Sequence, residues 1–197
     1  MPSFVVVVDM QRDFVAADGA LPVAGAEALV APMQRWLAGL RPGEVAGVLF
    51  TADTHLPEIY AVSEEATQFP PHCERGSPGW ALVVDPAMLD PAIPAYRLEK
   101  GVFDMWAEPG LAIERIGTTN LTDRDAFFAQ LEDAGIHDGI VVGVAADYCV
   151  RWAVEGLTAR GFRVTVPADL TRGITRQIDR VAAEEWRGAS VAILEAA

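Results

Sequence analysis

Apolar and polar stretches alternate along the chain in a way that predicts strands and helices in turn. Ser3–Val8 is apolar or β-branched at almost every position, which is typical of a central parallel strand covered on both faces. Further apolar runs predict five more strands. These are Val45–Thr51, Ala95–Glu99, Gly139–Val144, Phe162–Val166 and Ser190–Leu194.

Helical spacing of apolar positions fills the intervals between these strands. Gly25–Leu40 predicts a helix with Leu29, Met33 and Leu37 on one face. A second predicted helix begins at Thr122 as its cap and ends at Ala134, and two more cover Tyr148–Arg160 and Thr175–Arg187. Strands that alternate with helices predict an α/β fold of three layers, α/β/α, in one domain spanning residues 1–197.

Two segments lack a periodic pattern. Ala52–Trp80 is polar and rich in Pro and Gly, and Gly101–Asn120 is irregular. Loops this long in compact domains are mostly functional or disordered, so both segments are candidates for site-building loops.

Reactive side chains follow three of the predicted strands. Asp9 follows the first strand, Lys100 follows the strand at Ala95–Glu99, and Cys149 follows Gly139–Val144. Ligands of such sheets bind beyond the carboxyl ends of the strands, so we expect these three residues to converge.

Cys149, Asp9 and Lys100 together would suit nucleophilic catalysis. A helix N-terminus and a nearby Lys100 would lower the pKa of the Cys149 thiol, and a thiolate attacks carbonyl carbon readily. Asp9 could take the thiol proton and pass it to a leaving amine. Taken singly, each residue has a plainer interpretation, namely a buried inert cysteine, a turn-capping aspartate and a solvated lysine.

A second cluster predicts a metal site. Asp53 and His55 are alternate residues of an extended segment and therefore share a face, and His72 follows two prolines. Nitrogen and carboxylate ligands without thiolate suit Zn, Fe or Mn. The alternative is a pair of loop histidines in ordinary hydrogen bonds. Cys73 would point away from its neighbour His72 and is not expected to be a ligand.

Composition narrows the classes of partner. The 197 residues carry a net charge of −13 and are 51% hydrophobic, so the acidic surface should repel nucleic acid and anionic membranes. No signal peptide or membrane span is evident, which predicts a cytoplasmic protein with reduced cysteines. The sequence leaves self-association into a homo-oligomer open, and the expected partner is a small-molecule amide.

Several segments resemble the nicotinamidases of the isochorismatase-like cysteine hydrolase superfamily. The resemblance covers nearly the whole chain and rests on the opening 5–14, the cysteine segment 143–150 and the stretch from Gly161 to Gly173. The pair 53–55 and 69–72, which reads Asp-Thr-His and Phe-Pro-Pro-His, is more specific, because relatives without a metal generally lack it.

The resemblance implies a six-stranded parallel sheet and an amidohydrolase that converts nicotinamide to nicotinic acid and ammonia through a thioester, as in NAD salvage. The resemblance implies that Asp9, Lys100 and Cys149 are the catalytic residues, and that Asp53, His55, His72 and an acid bind one divalent metal. It also implies that the amides of Ala145 and Cys149 form an oxyanion hole after a cis Val144–Ala145 peptide. Phe14 and Phe69 are implied to pack against the substrate ring. Glu65 is preferred to Glu64 as the acid, and Zn is preferred to Fe or Mn.

Two departures from the family pattern affect the substrate more than the chemistry. Ala146 replaces a common threonine, and Gly101–Asn120 is longer than usual and is expected to cover the pocket. The alternatives are an amidohydrolase acting on a carbamoyl, ureido or maleamate compound, and a non-catalytic metal-binding or ligand-binding protein on the same fold. Isochorismate cleavage and a redox-sensor role for Cys149 are less favoured, because neither needs the full set of residues.

Overall fold

The computed structural model describes residues 1–195. The strands are β1 Ser3–Val8, β2 Val45–Asp53, β3 Ala95–Lys100, β4 Ala112–Arg115, β5 Leu121–Asp123, β6 Asp138–Val144, β7 Arg163–Pro167, β8 Thr171–Arg172 and β9 Val191–Leu194. The helices are α1 Arg12–Val15, α2 Val30–Ala38, α3 Pro57–Tyr60, α4 Arg124–Asp133, α5 Cys149–Ala159 and α6 Ile178–Glu185. None of the helices in this part of the chain has the length and apolar character needed to cross a membrane.

One mixed sheet organises the fold, and its strand order within residues 1–195 is β5-β4-β3-β2-β1-β6-β7-β9, with β8 paired to β6. The run from β3 to β9 forms the predicted six parallel strands. Three short strands were not predicted: β4 and β5 extend one edge in antiparallel pairing, and β8 adds to β6. The α/β/α prediction is confirmed, with a sheet of nine strands where six were expected.

The central strand β1 divides its side chains between two hydrophobic cores. Phe4, Val6 and Val8 face one core, which is completed by α4, α5 and α6. Val5 and Val7 face the other core, which is completed by α1 and α2. Each side chain of β1 from Phe4 onward is at most 1% exposed, which confirms the strand with two buried faces.

Two predicted helix starts, those of α2 and α4, were wrong for identifiable reasons. Gly25–Leu40 begins with a 3-10 turn, and α2 starts only at Val30, so that Pro32 lies in the first turn, where its missing amide is tolerated. Asp123, not Thr122, caps α4 by accepting a hydrogen bond from the Ala126 amide, because Thr122 belongs to β5.

Gly101–Asn120 contains β4, which the sequence did not reveal because the strand is short and only its Ile113 is buried. The strands around the site end as predicted or within two residues of the prediction. The peptide between Val144 and Ala145 is cis, as expected.

The predicted helix Thr175–Arg187 begins late, at Ile178, because the amides before it donate hydrogen bonds to Asp147. Its carboxylate accepts hydrogen bonds from the amides of Ile174, Thr175 and Arg176 and from the Thr175 hydroxyl, at 2.7 to 3.0 Å. Burial alone would raise the pKa of Asp147, but these hydrogen bonds outweigh it and hold the pKa below its usual value. Asp147 thereby ties the loop after β8 to the turn that precedes α5.

We expect Asp147→Asn to lower the free energy of unfolding at pH 7 by about 1–3 kcal/mol. The reason is that the side-chain NH₂ group of asparagine cannot accept the hydrogen bonds that the backbone amides donate to the carboxylate. Since the folded-state pKa of Asp147 is depressed, its contribution is present above about pH 4 and is lost as the pH falls through the folded pKa. Urea unfolding at pH 7 and at low pH measures the difference. Exposed Asp169 supplies the control Asp169→Asn; equal stability of the two variants at pH 7 would contradict the assignment.

Candidate active site and metal centre

The carboxyl ends of four adjacent strands bring the predicted residues together. Asp9 directly follows β1, Asp53 ends β2 and Lys100 ends β3, while Cys149 is the first residue of α5 after β6. All four are at most 5% exposed. The prediction that residues distant in sequence converge at this edge of the sheet is therefore borne out geometrically.

Lys100 lies at the centre of the cluster. Its Nζ atom is 2.9 Å from Asp9 Oδ2, 3.1 Å from Asp53 Oδ1 and 3.5 Å from Cys149 Sγ. Burial alone would lower the pKa of Lys100, but the carboxylates of Asp53 and Asp9 outweigh it and raise the pKa well above its usual value. The ammonium is therefore retained in the interior by two opposite charges.

Asp9 is held by strand β2 as well as by Lys100. Its Oδ1 accepts a 2.5 Å hydrogen bond from the Thr51 hydroxyl, and its own amide donates back to that hydroxyl at 3.2 Å. Its backbone is left-handed, with φ of 47°, a conformation that costs free energy in a non-glycine residue. The strand end therefore presents the carboxylate in a single orientation beside Lys100.

The expected lowering of the Cys149 pKa was wrong. Burial raises the pKa of the thiol well above its usual value, and although Lys100 opposes this, the negative charge of Asp9 adds to it. The prediction took account of the helix N-terminus and the lysine but not of the burial of the sulfur, which disfavours the thiolate. A thiol in this setting needs a base, and the Asp9 carboxylate shares the Lys100 ammonium with it.

Asp53 and three further side chains converge on one point beside Lys100. Asp53 Oδ2 is 3.2 Å from His55 Nε2 and 3.3 Å from His72 Nε2, and Glu65 Oε1 is 3.7 Å and 3.2 Å from the same two nitrogens. One ligand atom from each residue lies within 4.8 Å of all the others. Cys73 and the exposed Glu64 are not part of this group.

The donor set fits a divalent metal ion. It combines two imidazole nitrogens with two carboxylate oxygens, and Glu65 Oε1 is buried without a hydrogen-bond donor among the described residues. An anionic oxygen in that condition is costly unless a cation satisfies it. His72 Nδ1 lies 2.8 Å from the Pro70 carbonyl, which leaves Nε2 free to coordinate.

The close packing of these side chains shifts the pKa values of Asp53 and His72 in opposite directions. Burial alone would raise the pKa of Asp53, but Lys100 and the two histidines outweigh it and hold the pKa well below its usual value. Burial alone would lower the pKa of His72, but the neighbouring carboxylates of Asp53 and Glu65 outweigh it and raise the pKa to about 10. The carboxylates attract positive charge strongly to this point.

Three supporting residues were missed by the sequence analysis. Thr51 holds Asp9, as described above. Gln11 lies 0% exposed between two segments, where its amide donates to the carbonyls of Asp53 and Trp80 and accepts from the Asp53 amide. Tyr60 packs its ring edgewise against His55 and donates its hydroxyl toward the Pro70 carbonyl. None of the three carries a periodic or spacing signal, because each acts through a partner distant in sequence.

The predicted aromatic residues lie on two sides of the metal-binding group. The Phe14 ring is 5.2 Å from that of His72. The Phe69 ring is 5.6 Å from Phe103 and 5.5 Å from Tyr148, the residue before Cys149. Ala145 follows the end of β6 and is 7% exposed. His137 lies directly before β6, at the opposite end of the sheet from this site.

Comparison with known proteins gives consistent matches over the whole chain. Residues 3–196 match the family described as the isochorismatase domain. The chain is 30% identical over 197 residues to a nicotinamidase/pyrazinamidase of Mycobacterium tuberculosis, with 96% of each sequence covered.

Two solved structures are similar along their whole length. One is the pyrazinamidase of Pyrococcus horikoshii in complex with zinc, at 26% identity, full coverage of both chains and a TM-score of 0.71. The other is PnC1 from L. infantum in complex with nicotinate, at 26% identity and a TM-score of 0.71, covering 98% of this chain and 92% of that one.

We expect Gln11→Ala to lower the free energy of unfolding by about 2–4 kcal/mol, because it leaves the buried amide of Asp53 and two buried carbonyls without their partner. Half-buried Gln34, which makes one long hydrogen bond to Val83, supplies the control Gln34→Ala, expected within about 0.5 kcal/mol of the parent. Denaturant unfolding measures both. A cost for Gln11→Ala no larger than the control would show that this amide does not hold Asp53.

Proposed function

Since this chain belongs to the isochorismatase domain family, we propose that it is an amidohydrolase converting nicotinamide into nicotinic acid and ammonia. The observation that carries the proposal is the position of Lys100, which contacts the base Asp9, the nucleophile Cys149 and the metal-binding residue Asp53 at once. The relatives in M. tuberculosis and L. infantum, named for nicotinamidase activity and for bound nicotinate, support the choice of substrate.

The proposed reaction starts with proton transfer from the Cys149 thiol to Asp9. This transfer is needed because burial keeps the thiol protonated in the free protein. The sulfur then attacks the amide carbon, and the Ala145 and Cys149 amides would stabilise the oxyanion, a contribution of about 3–4 kcal/mol per donor in comparable sites. Lys100 offsets the negative charge that Asp9 and the thiolate share.

Asp9 next returns its proton to the departing nitrogen, which leaves as ammonia while the acyl group stays on Cys149 as a thioester. A water molecule that gives a proton to Asp9 attacks the thioester carbon. The carbon–sulfur bond breaks, the proton returns to sulfur, and nicotinic acid is released. Asp9 therefore acts as base and acid in both halves of the cycle.

A divalent ion held by Asp53, His55, Glu65 and His72 would supply an electrophilic site that binds the ring nitrogen and orients the amide toward Cys149. We propose zinc as this ion, with iron or manganese as the alternatives for an imidazole and carboxylate set. Phe14 and Phe69 would pack against the substrate ring.

We expect purified protein to release ammonia from nicotinamide, and Cys149→Ala to reduce kcat by at least about 10⁴-fold, because no other described group replaces the nucleophile. Cys73→Ala is the matched control, since it removes the chain's other thiol, which is also buried and free. Coupled detection of ammonia measures both. Undiminished release by Cys149→Ala would exclude the mechanism, and no release from nicotinamide by the parent would exclude the substrate.

We expect Glu65→Gln to weaken zinc binding by about 100-fold or more, because it removes a buried anionic oxygen and keeps the side-chain volume. Glu64→Gln, at the exposed neighbouring position, should bind zinc like the parent. Competition with a chromogenic chelator measures the affinity. Equal weakening in the two variants, or none in either, would remove Glu65 from the ligand set.

A further inference from the structure

The segment Gly101–Leu111 continues directly from Lys100 and places an aromatic ring at the site. The Phe103 ring is 5.6 Å from that of Phe69 and 5.4 Å from that of Tyr148, and these two rings are 5.5 Å apart. Phe69 lies three residues before a metal-binding histidine, and Tyr148 directly precedes Cys149. These three residues, Phe69, Phe103 and Tyr148, form an aromatic rim that joins the metal-binding half of the site to the nucleophile.

Trp106 attaches this segment to helix α5. Its indole lies 3.8 Å below the Arg160 guanidinium and 4.7 Å from the Phe128 ring, and its Nε1 donates to the Trp152 carbonyl at 3.0 Å. Gly156 provides the space, because a Cβ atom there would be 2.0 Å from Nε1. The indole therefore fits against the helix backbone in a way that a side chain at position 156 would prevent.

The backbone on either side of Trp106 is fixed as well. The buried Arg124 guanidinium donates to the carbonyls of Met105 and Glu108, at 2.5 and 2.8 Å. The Glu108 carboxylate accepts from the Gly101 amide at 2.7 Å and closes the segment into a loop. The segment thus has one defined arrangement, in which Phe103 also stacks on Trp152 at 5.9 Å.

We infer that Trp106 is a positioning residue for substrate selection, because its indole fixes the segment that carries Phe103 against α5 and so acts on the aromatic rim through Phe103. The inference rests on the proposed function, since the rim is then one wall of the pocket for a flat, single-ring amide. Cys149 is only 5% exposed, in agreement with a closed rim. Loss of the indole would free Phe103 and open the rim while leaving Asp9, Lys100 and Cys149 in place.

Steady-state kinetics with nicotinamide test the role in substrate binding. We expect Trp106→Ala to raise KM about five- to tenfold with kcat changed less than about twofold, because rim contacts bind ground state and transition state alike. Phe103→Ala should do the same, and the double variant should be no worse than Phe103→Ala, since Trp106 acts through Phe103. Trp36→Ala, a half-buried tryptophan at the opposite core, should leave KM unchanged. Additive effects, or a fall in kcat alone, would overturn the inference.

Thiol labelling tests the same inference without any assumption about the substrate. A bulky maleimide should modify Cys149 at least about tenfold faster in Trp106→Ala than in the parent, with peptide mass spectrometry separating Cys149 from Cys73. Trp106→Phe keeps the ring but loses the hydrogen bond to Trp152, and it should show an intermediate rate. Should Trp106→Ala not fold, a parent-like labelling rate in Trp106→Phe overturns the inference. Faster labelling in a protein that does not cleave nicotinamide would reject the proposed function and keep the positioning role.

Discussion

The buried ammonium of Lys100 is the interaction on which the rest of the site depends. An isolated charge removed from water is very costly, and Lys100 is tolerated because Asp9 and Asp53 contact the same nitrogen. The cost also runs in the other direction, since each carboxylate would be equally unfavourable without the cation. Removing Lys100 would leave two buried carboxylates without their shared cation, so the proposed catalytic and metal-binding residues are linked electrostatically even though they serve different steps.

The sheet supplies this arrangement through the order of its strands. β3, β2, β1 and β6 are adjacent and parallel, so the residues at their carboxyl ends meet although they are separated by many tens of positions. Gln11 and Thr51 then fix the details, because one clamps the backbone of Asp53 and the other the carboxylate of Asp9. Gln11 follows β1 and binds the end of β2, while Thr51 lies in β2 and binds the residue after β1. Neighbouring strands therefore determine how the two carboxylates face the single lysine.

The sequence predicted the parts of this site that depend on local pattern. The valines of β1, the position of Asp9 after them, and the alternation of Asp53 and His55 follow from strand periodicity, and the resemblance indicated Glu65 in preference to Glu64. The sequence did not predict features that depend on distant partners. Asp123 replaces Thr122 as the cap because β5 pairs with β4, and α6 starts late because Asp147 takes the amides before it. A glycine such as Gly156 ordinarily destabilises a helix, and the reason for its presence becomes clear only from the Trp106 indole that packs against it.

The raised pKa of the Cys149 thiol and the closed aromatic rim have one physical origin. Removing the sulfur from water disfavours the thiolate, yet the same exclusion of water strengthens the attraction between Lys100 and the charge that forms during attack. A more open pocket would make the thiol easier to ionise and would also weaken that attraction. The proposed mechanism therefore combines a protonated nucleophile with an adjacent base and a rim positioned by Trp106, so that the thiolate would form only as Asp9 takes its proton beside a bound amide.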